Sequence, residues 1–168
     1  MDFFLRPPHT AGTVTAVTGA ASWAIRLMAF ALVAVASSRA DLRTRRVPRL
    51  PLLALLGLLV PGSALGQDPG LCSSAAGALA GLLVFGSVRS FTGGRLGLAD
   101  VWMAACIGAL GGTGLLLSAT GLAVLLLVPQ IVPARGSRER PLPFIPALSA
   151  ATFFSVALRF FGQHSVSP

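Results

Sequence analysis

Two aspartates, Asp41 and Asp100, are the residues of this sequence best suited to chemistry. The chain of 168 residues contains five carboxylates: Asp2, Asp41, Asp68, Asp100 and Glu139. The other three lie in polar segments or among arginines, whereas Asp41 and Asp100 adjoin long apolar stretches. Two carboxyl groups that are brought together share a proton, because both cannot ionise cheaply. One can then act as a general base on a water while the other, protonated, polarises a carbonyl, which is the chemistry of an aspartic protease.

The sequence offers no competing set of catalytic side chains. It contains no apposed Ser/His dyad, no H-E-x-x-H motif and no Cys/His pair. Cys72 and Cys106 each lie in an apolar stretch and form no C-x-x-C motif, so we expect small buried residues rather than ligands or a disulfide. We therefore expect no metal and no cofactor.

The composition indicates that these carboxylates belong to a membrane protein. Apolar residues make up 54% of the chain and charged residues 11%, against a usual charged share of about 25%, and the mean hydropathy is +0.81. All 13 basic residues are arginines, and the net charge is +8. That excess would suggest nucleic acid in a soluble protein, but here the arginines cluster between apolar stretches, as in cytoplasmic loops. We expect the lipid bilayer, and no nucleic acid, as a partner.

The apolar stretches predict six helices of roughly the 20 residues that a membrane span requires. They cover about residues 21–38, 47–65, 71–88, 98–112, 115–132 and 143–161. The predicted fold is an all-α integral membrane protein, a single bundle of about six transmembrane helices. One domain is expected over residues 1–168, with a polar or interfacial segment at 1–20, the bundle at 21–161 and a tail at 162–168. Arg26 is expected to reach the headgroups from the outer end of the first helix.

The arginines also predict the orientation of the bundle. The first, third and fifth connections contain arginine, and the second and fourth contain none. The positive-inside rule then places the odd connections in the cytoplasm and both termini outside. Because Asp41 ends the first helix and Asp100 begins the fourth, both carboxylates are expected at the cytoplasmic face and at similar depth.

A structural interpretation of both aspartates is equally compatible with the residues alone. Asp41 could pair with Arg45 at i, i+4 on the surface of the first helix. Asp100 could be the acidic residue that the helix dipole favours in a first turn.

Three stretches carry a family resemblance. The first, residues 41–48, reads Asp-Leu-Arg-Thr-Arg-Arg-Val-Pro, the second runs from Gly97 to Gly108, and the third, residues 143–147, reads Pro-Phe-Ile-Pro-Ala. They resemble, in order, three motifs of the type IV prepilin peptidase family. These are an aspartate and basic turn before Ile-Pro-Asn, the Gly-x-Gly-Asp motif, and Pro-Phe-Gly-Pro at the start of the last helix.

The resemblance implies an intramembrane aspartic endopeptidase of the cell inner membrane. Such enzymes cut the short basic leader from type IV pilin-like precursors at the cytoplasmic face, which makes such a precursor the expected partner. The catalytic residues carried over by position are Asp41 and Asp100. The substrate-binding or motif residues carried over are Arg46, Pro48, Gly97, Ala99, Pro143, Phe144 and Pro146.

The sequence departs from the family pattern at several positions. Ala99 replaces the second glycine of Gly-x-Gly-Asp, and Arg49 stands where the family usually has Asn. The first cytoplasmic connection is short and has no cysteine, so the resemblance is to the peptidase-only branch and implies no methyl-donor cofactor. The alternative is a non-catalytic membrane assembly or scaffold protein of the same fold. A small transporter is disfavoured because the sequence shows no inverted repeat.

Overall fold

The computed structural model describes residues 10–44, 47, 49–65, 69–94, 96–131 and 144–164. Over these residues the chain is helical and contains no strand. The helices are α1 (Thr10–Thr44), α2 (Arg49–Gly62), a short 3-10 helix (Ser63–Leu65), α3 (Leu71–Phe91), α4 (Leu98–Ile131) and α5 (Phe144–His164). The predicted all-α class is confirmed.

The described helices include three segments that are long and apolar enough to cross a membrane. These are Ala21–Arg43, Leu71–Phe91 and Leu98–Leu126, and the apolar segments Arg49–Gly62 and Phe144–Leu158 are shorter. The protein is an integral membrane protein. Its first helix begins at Thr10 rather than near residue 21, since residues 10–20 contain neither a charge nor a proline to interrupt it.

Over the described residues the structure has five continuous α-helical elements where the sequence predicted about six helices. The predicted fourth and fifth helices form one element, α4, which is broken at Gly111 (φ −135°, ψ 17°) and Gly112 (φ 71°, ψ −172°). The interruption expected between residues 112 and 115 is therefore a break at Gly111 and Gly112, because helical backbone resumes directly after Gly112 without a loop. The positive φ at Gly112 is a conformation that residues with a Cβ rarely adopt. We call Gly111 and Gly112 the helix break.

The most extensive packing in the bundle is between α3 and α4. Glycines allow it, because a Cβ added at Gly77 would overlap the carbonyl oxygen of Gly108, and one added at Gly81 would lie 2.7 Å from the carbonyl oxygen of Ala104. Gly77 and Gly81 stand in the G-x-x-x-G spacing, which permits such a close approach of two backbones.

Contacts along α1 show the directions in which α2 and α5 run relative to it. The Ser22 hydroxyl donates to the carbonyl of Gly62 at the end of α2, whereas Phe30 and Ser38 contact Phe153 and Ser149 of α5. Both α2 and α5 therefore run antiparallel to α1. The end of α1 consequently lies beside the starts of α2 and α5, and a shared cavity places the start of α4 there too. We call this the aspartate end.

Arg26 corrects a prediction, because its side chain does not reach the headgroups. It is only 3% exposed, and its Nη2 donates to the carbonyl oxygens of Ala109 (2.8 Å) and Leu110 (3.4 Å). The Ser74 hydroxyl also donates to Ala109. The helix break separates these carbonyls from the amides that would follow in a regular helix, and a bilayer supplies no water to replace them. The guanidinium thus serves as an internal cap for the first half of α4.

Candidate active site

Asp100 is held at the start of α4 by two hydrogen bonds with Gly97. The Gly97 N–H donates to Asp100 Oδ2 at 2.9 Å, and the Asp100 N–H donates to the Gly97 carbonyl at 3.1 Å. Gly97 directly precedes α4, so the carboxylate caps the helix as the acidic residue of a capping box does. Asp100 is 8% exposed. Its carboxyl group is thus nearly buried and fixed in orientation by a backbone donor.

Asp41 lies in the last turn of α1 and lines one cavity together with the first residues of α4. Its side chain is half-buried, and it is close enough to Asp100 for the two carboxyl groups to interact electrostatically. Arg89, near the end of α3, also acts on the charge of Asp100. Residues 59 positions apart in sequence are thereby brought into one electrostatic environment.

A cavity of about 310 Å³ lies at the aspartate end, and both aspartates line it. The polar part of its wall also includes Arg49. The remaining lining residues are Val47, Gly97, Leu98, Ala99 and Ile145. A volume of this size is at the lower limit of ordinary ligand sites, so it can admit a short stretch of peptide together with a water. The arrangement can therefore bring a peptide bond to two neighbouring carboxyl groups.

The Asp100 carboxylate leaves no room for a side chain at position 97. A Cβ added there would lie 2.8 Å from Asp100 Oδ2, which is closer than real Cβ contacts allow. A side chain at this position would push the carboxylate out of its bond to the Gly97 N–H. The glycine that the sequence singled out as a motif residue therefore protects the position of Asp100.

The remaining predicted site residues fall into three groups. Ala99 is half-buried and lines the cavity. Phe144 and Pro146 are half-buried at the start of α5, and the Phe144 ring packs against Phe85 with centroids 6.0 Å apart. Phe144 thus contacts α3 through its ring. Arg46, Pro48 and Pro143 lie outside the described residues.

Sequence reasoning did not assign a role to three apolar residues of the cavity wall, Val47, Leu98 and Ile145. Each stands inside or beside a motif that was recognised, and Ile145 separates two residues that were predicted. Their position next to motif residues was the only available signal, since apolar residues are abundant in every helix of this chain. They make part of the cavity wall apolar.

Within the part of the chain that the structure describes, no group of three or more His, Cys, Asp or Glu side chains could hold a metal ion. The described carboxyl groups of the cavity are those of Asp41 and Asp100. The chemistry that this geometry offers is thus proton transfer by two carboxyl groups.

The sequence model of the type IV leader peptidase family matches residues 27–132. That match covers more than half of the chain and includes both cavity aspartates. No curated protein matches the chain, and no solved structure matches it.

Proposed function

Since the chain belongs to the type IV leader peptidase family, as its three motifs predicted, we propose that it is an aspartic endopeptidase with Asp41 and Asp100 as its catalytic pair. Membership of this family implies peptidase activity. The aspartic mechanism and the roles of the two residues are our proposal. The observation that carries it is the cavity of about 310 Å³ that both aspartates line.

In the proposed reaction one carboxyl group is ionised and the other is protonated. The ionised carboxylate takes a proton from a water as the water oxygen attacks the carbonyl carbon of the peptide bond, and the protonated carboxyl donates to the carbonyl oxygen. The tetrahedral intermediate then collapses. Its C–N bond breaks, the leaving nitrogen takes the proton that the first carboxyl had gained, and the second carboxyl recovers its own proton from the intermediate. Both aspartates return to their starting states.

The environment of the pair suits this reaction in two ways. Burial of Asp100 beside Asp41 makes it costly for both groups to be ionised at once, which favours a shared proton. Part of the cavity wall is apolar and consists of Val47, Leu98 and Ile145. An apolar wall limits bulk water, which strengthens the electrostatic interactions inside a site.

We propose the basic leader of a type IV pilin-like precursor as the substrate, cleaved at the cytoplasmic face of the inner membrane. The family resemblance supports this substrate. The arginine-rich first, third and fifth connections between the six predicted helices support cleavage on the cytoplasmic side of the membrane. With the two halves of α4 counted as two spans that meet at the helix break, the proposed orientation puts the aspartate end of the bundle in the cytoplasm and both termini outside.

A non-catalytic scaffold protein of the same fold is the alternative. One observation favours it, since the bond from the Gly97 N–H to Asp100 gives that carboxylate a structural role at the start of α4. A structural role for Asp100 does not require Asp41 to share its cavity, whereas catalysis by a pair does.

The deciding experiment is leader cleavage by the purified full chain in phospholipid vesicles, with a pilin-like precursor and mass spectrometry of the product. We expect the parent to release the leader, and Asp41→Asn and Asp100→Asn each to lower the rate by about 10³-fold or more. That loss is expected because an amide can neither accept nor donate the required proton. Both variants should keep the parent's thermal unfolding midpoint, because Asn is nearly isosteric with Asp.

Asp68→Asn is the matched control and should cleave like the parent, since the sequence predicts Asp68 in an outward connection. Asp68 lies outside the described residues. Cleavage by either cavity variant at a near-parental rate would support the scaffold alternative, as would a well-folded parent that cleaves no precursor.

A further inference from the structure

The connection between α3 and α4 brings Gly97 to Asp100, and two glycines shape its first turn. After Phe91, the Gly94 N–H donates to the Arg89 carbonyl at 2.8 Å, and the Thr92 N–H donates to the Val88 carbonyl at 2.9 Å. Gly93 and Gly94 have φ values of 62° and 82°, in the left-handed region that favours glycine. The chain therefore leaves α3 through a tight glycine turn. Because glycine restricts the backbone less than other residues do, the end of the connection nearest Gly97 needs a further contact to fix its position.

The Arg89 side chain spans this connection. Its Nη1 donates to the carbonyl oxygen of Leu96 and, at 3.5 Å, to that of Gly94. Leu96 is the residue directly before Gly97, whose N–H holds the Asp100 carboxylate. A continuous path of hydrogen bonds thus runs from the end of α3 through Leu96 and Gly97 to the carboxyl group of Asp100.

Arg89 also acts on Asp100 directly. It is half-buried at the end of α3, and its positive charge is close enough to attract the Asp100 carboxylate. Asp41 acts on the same carboxylate with the opposite sign. Arg89 is therefore placed to oppose the repulsion that would push the two aspartates apart.

We infer that Arg89 is a positioning residue for Asp100: by tying the end of α3 to the Leu96 carbonyl, it fixes the backbone donor that orients the catalytic carboxylate. This inference rests on the proposed function. Catalytic groups must be held within about 0.5 Å of their productive geometry, and a misplacement of about 1 Å can cost about 100-fold in rate. A residue that acts through Gly97 should therefore affect turnover more than substrate binding.

The test compares Arg89→Gln with Arg89→Lys in the full chain in vesicles. We expect Arg89→Gln to lower kcat about tenfold with KM within twofold of the parent, because the cavity wall that meets the substrate is unchanged. Arg89→Lys keeps the charge and can still donate to a carbonyl, so it should recover kcat to within about threefold of the parent. Arg39→Gln, which removes an exposed arginine of α1, is the charge-matched control and should behave like the parent.

Amide hydrogen exchange provides a second measurement that needs no substrate. Arg89→Gln should speed exchange at Gly97 at least tenfold while exchange in the middle of α3 stays at the parental rate, and Arg89→Lys should lie close to the parent. Unchanged exchange at Gly97 in Arg89→Gln would overturn the inference, as would an unchanged kcat or a loss that the lysine variant fails to recover. If the parent itself cleaves no precursor, the proposed function fails while hydrogen exchange still decides whether Arg89 holds Gly97.

Discussion

At the aspartate end of the bundle, Asp41 and Asp100 line a cavity of about 310 Å³. Arg26 lies on the same helix as Asp41, about 22 Å from it along α1 by the helical rise, and its side chain contacts backbone carbonyls. Arg26 is 3% exposed, and its guanidinium donates to the carbonyls of Ala109 and Leu110. Both regions place charged side chains in a membrane protein, where such groups face the bundle interior and mark function by default. The aspartates border a cavity, whereas the Arg26 guanidinium donates to backbone carbonyls.

That difference separates a candidate for chemistry from a structural device. A reacting group must meet its substrate, so it needs a cavity, and the aspartates have one. A group that replaces missing backbone hydrogen bonds needs direct donor-to-acceptor contact, and the Nη2 of Arg26 has that at the helix break. The comparison predicts that substitutions at the break reduce stability, whereas substitutions at the aspartate end reduce activity.

The largest effect on stability is expected from Arg26→Met. Methionine has a similar length but cannot donate, so the carbonyls of Ala109 and Leu110 would lose the Arg26 donor in a buried site. An unsatisfied buried polar group costs about 1–3 kcal/mol, and we expect the free energy of unfolding in detergent to fall by about 2 kcal/mol. Arg39→Gln removes an exposed arginine of the same helix and should leave stability unchanged. If Arg26→Met were as stable as the parent, the capping role of Arg26 would be wrong.

A smaller effect, on activity alone, is expected from Gly97→Ala. The added methyl would displace Asp100 Oδ2, which lies 2.8 Å from the position of the new Cβ. We expect the cleavage rate to fall about tenfold with little change in the unfolding midpoint, because a terminal carboxylate can shift without moving the backbone.

Gly86→Ala is the matched control for that substitution. Gly86 lies within α3 and has nothing within 4 Å of an added Cβ, so its alanine variant should cleave normally. It should also gain about 0.5–1 kcal/mol in stability from better helix propensity. A Gly97→Ala variant that cleaves as fast as Gly86→Ala would show that the space beside Asp100 does not matter.

The sequence predicted the pairing of Asp41 and Asp100 better than it predicted the contacts of Arg26 at the helix break, for a physical reason. Asp41 and Asp100 adjoin apolar helices in a chain with few carboxylates, and loop charges gave them one side and one depth. Arg26 was predicted wrongly because hydropathy indicates that a residue is in an apolar helix but not which neighbours face it. Its partners are backbone carbonyls of Ala109 and Leu110, which no side-chain pattern reveals.

The helix count and the cavity wall show the same limitation. The sequence predicted an interruption between residues 112 and 115, next to the observed break at Gly111 and Gly112, but local composition could not show that helical backbone resumes at once after the break. Val47 and Ile145 line the cavity, yet they look like any other apolar residues until tertiary packing brings the starts of α2, α4 and α5 together.

The central claim is that Asp41 and Asp100 act as one catalytic unit, and the rate of the double variant Asp41→Asn/Asp100→Asn tests it most directly. Removing either member of a unit that shares one proton should remove the whole function, as mutant effects within a catalytic unit are strongly non-additive. Leader cleavage should be measured for the parent, both single variants and the double variant in the same vesicles. We predict that the double variant and the two single variants cleave at the same residual rate. A single variant that keeps most of the parental rate, or a double variant slower than the singles by the product of their losses, would contradict a catalytic pair.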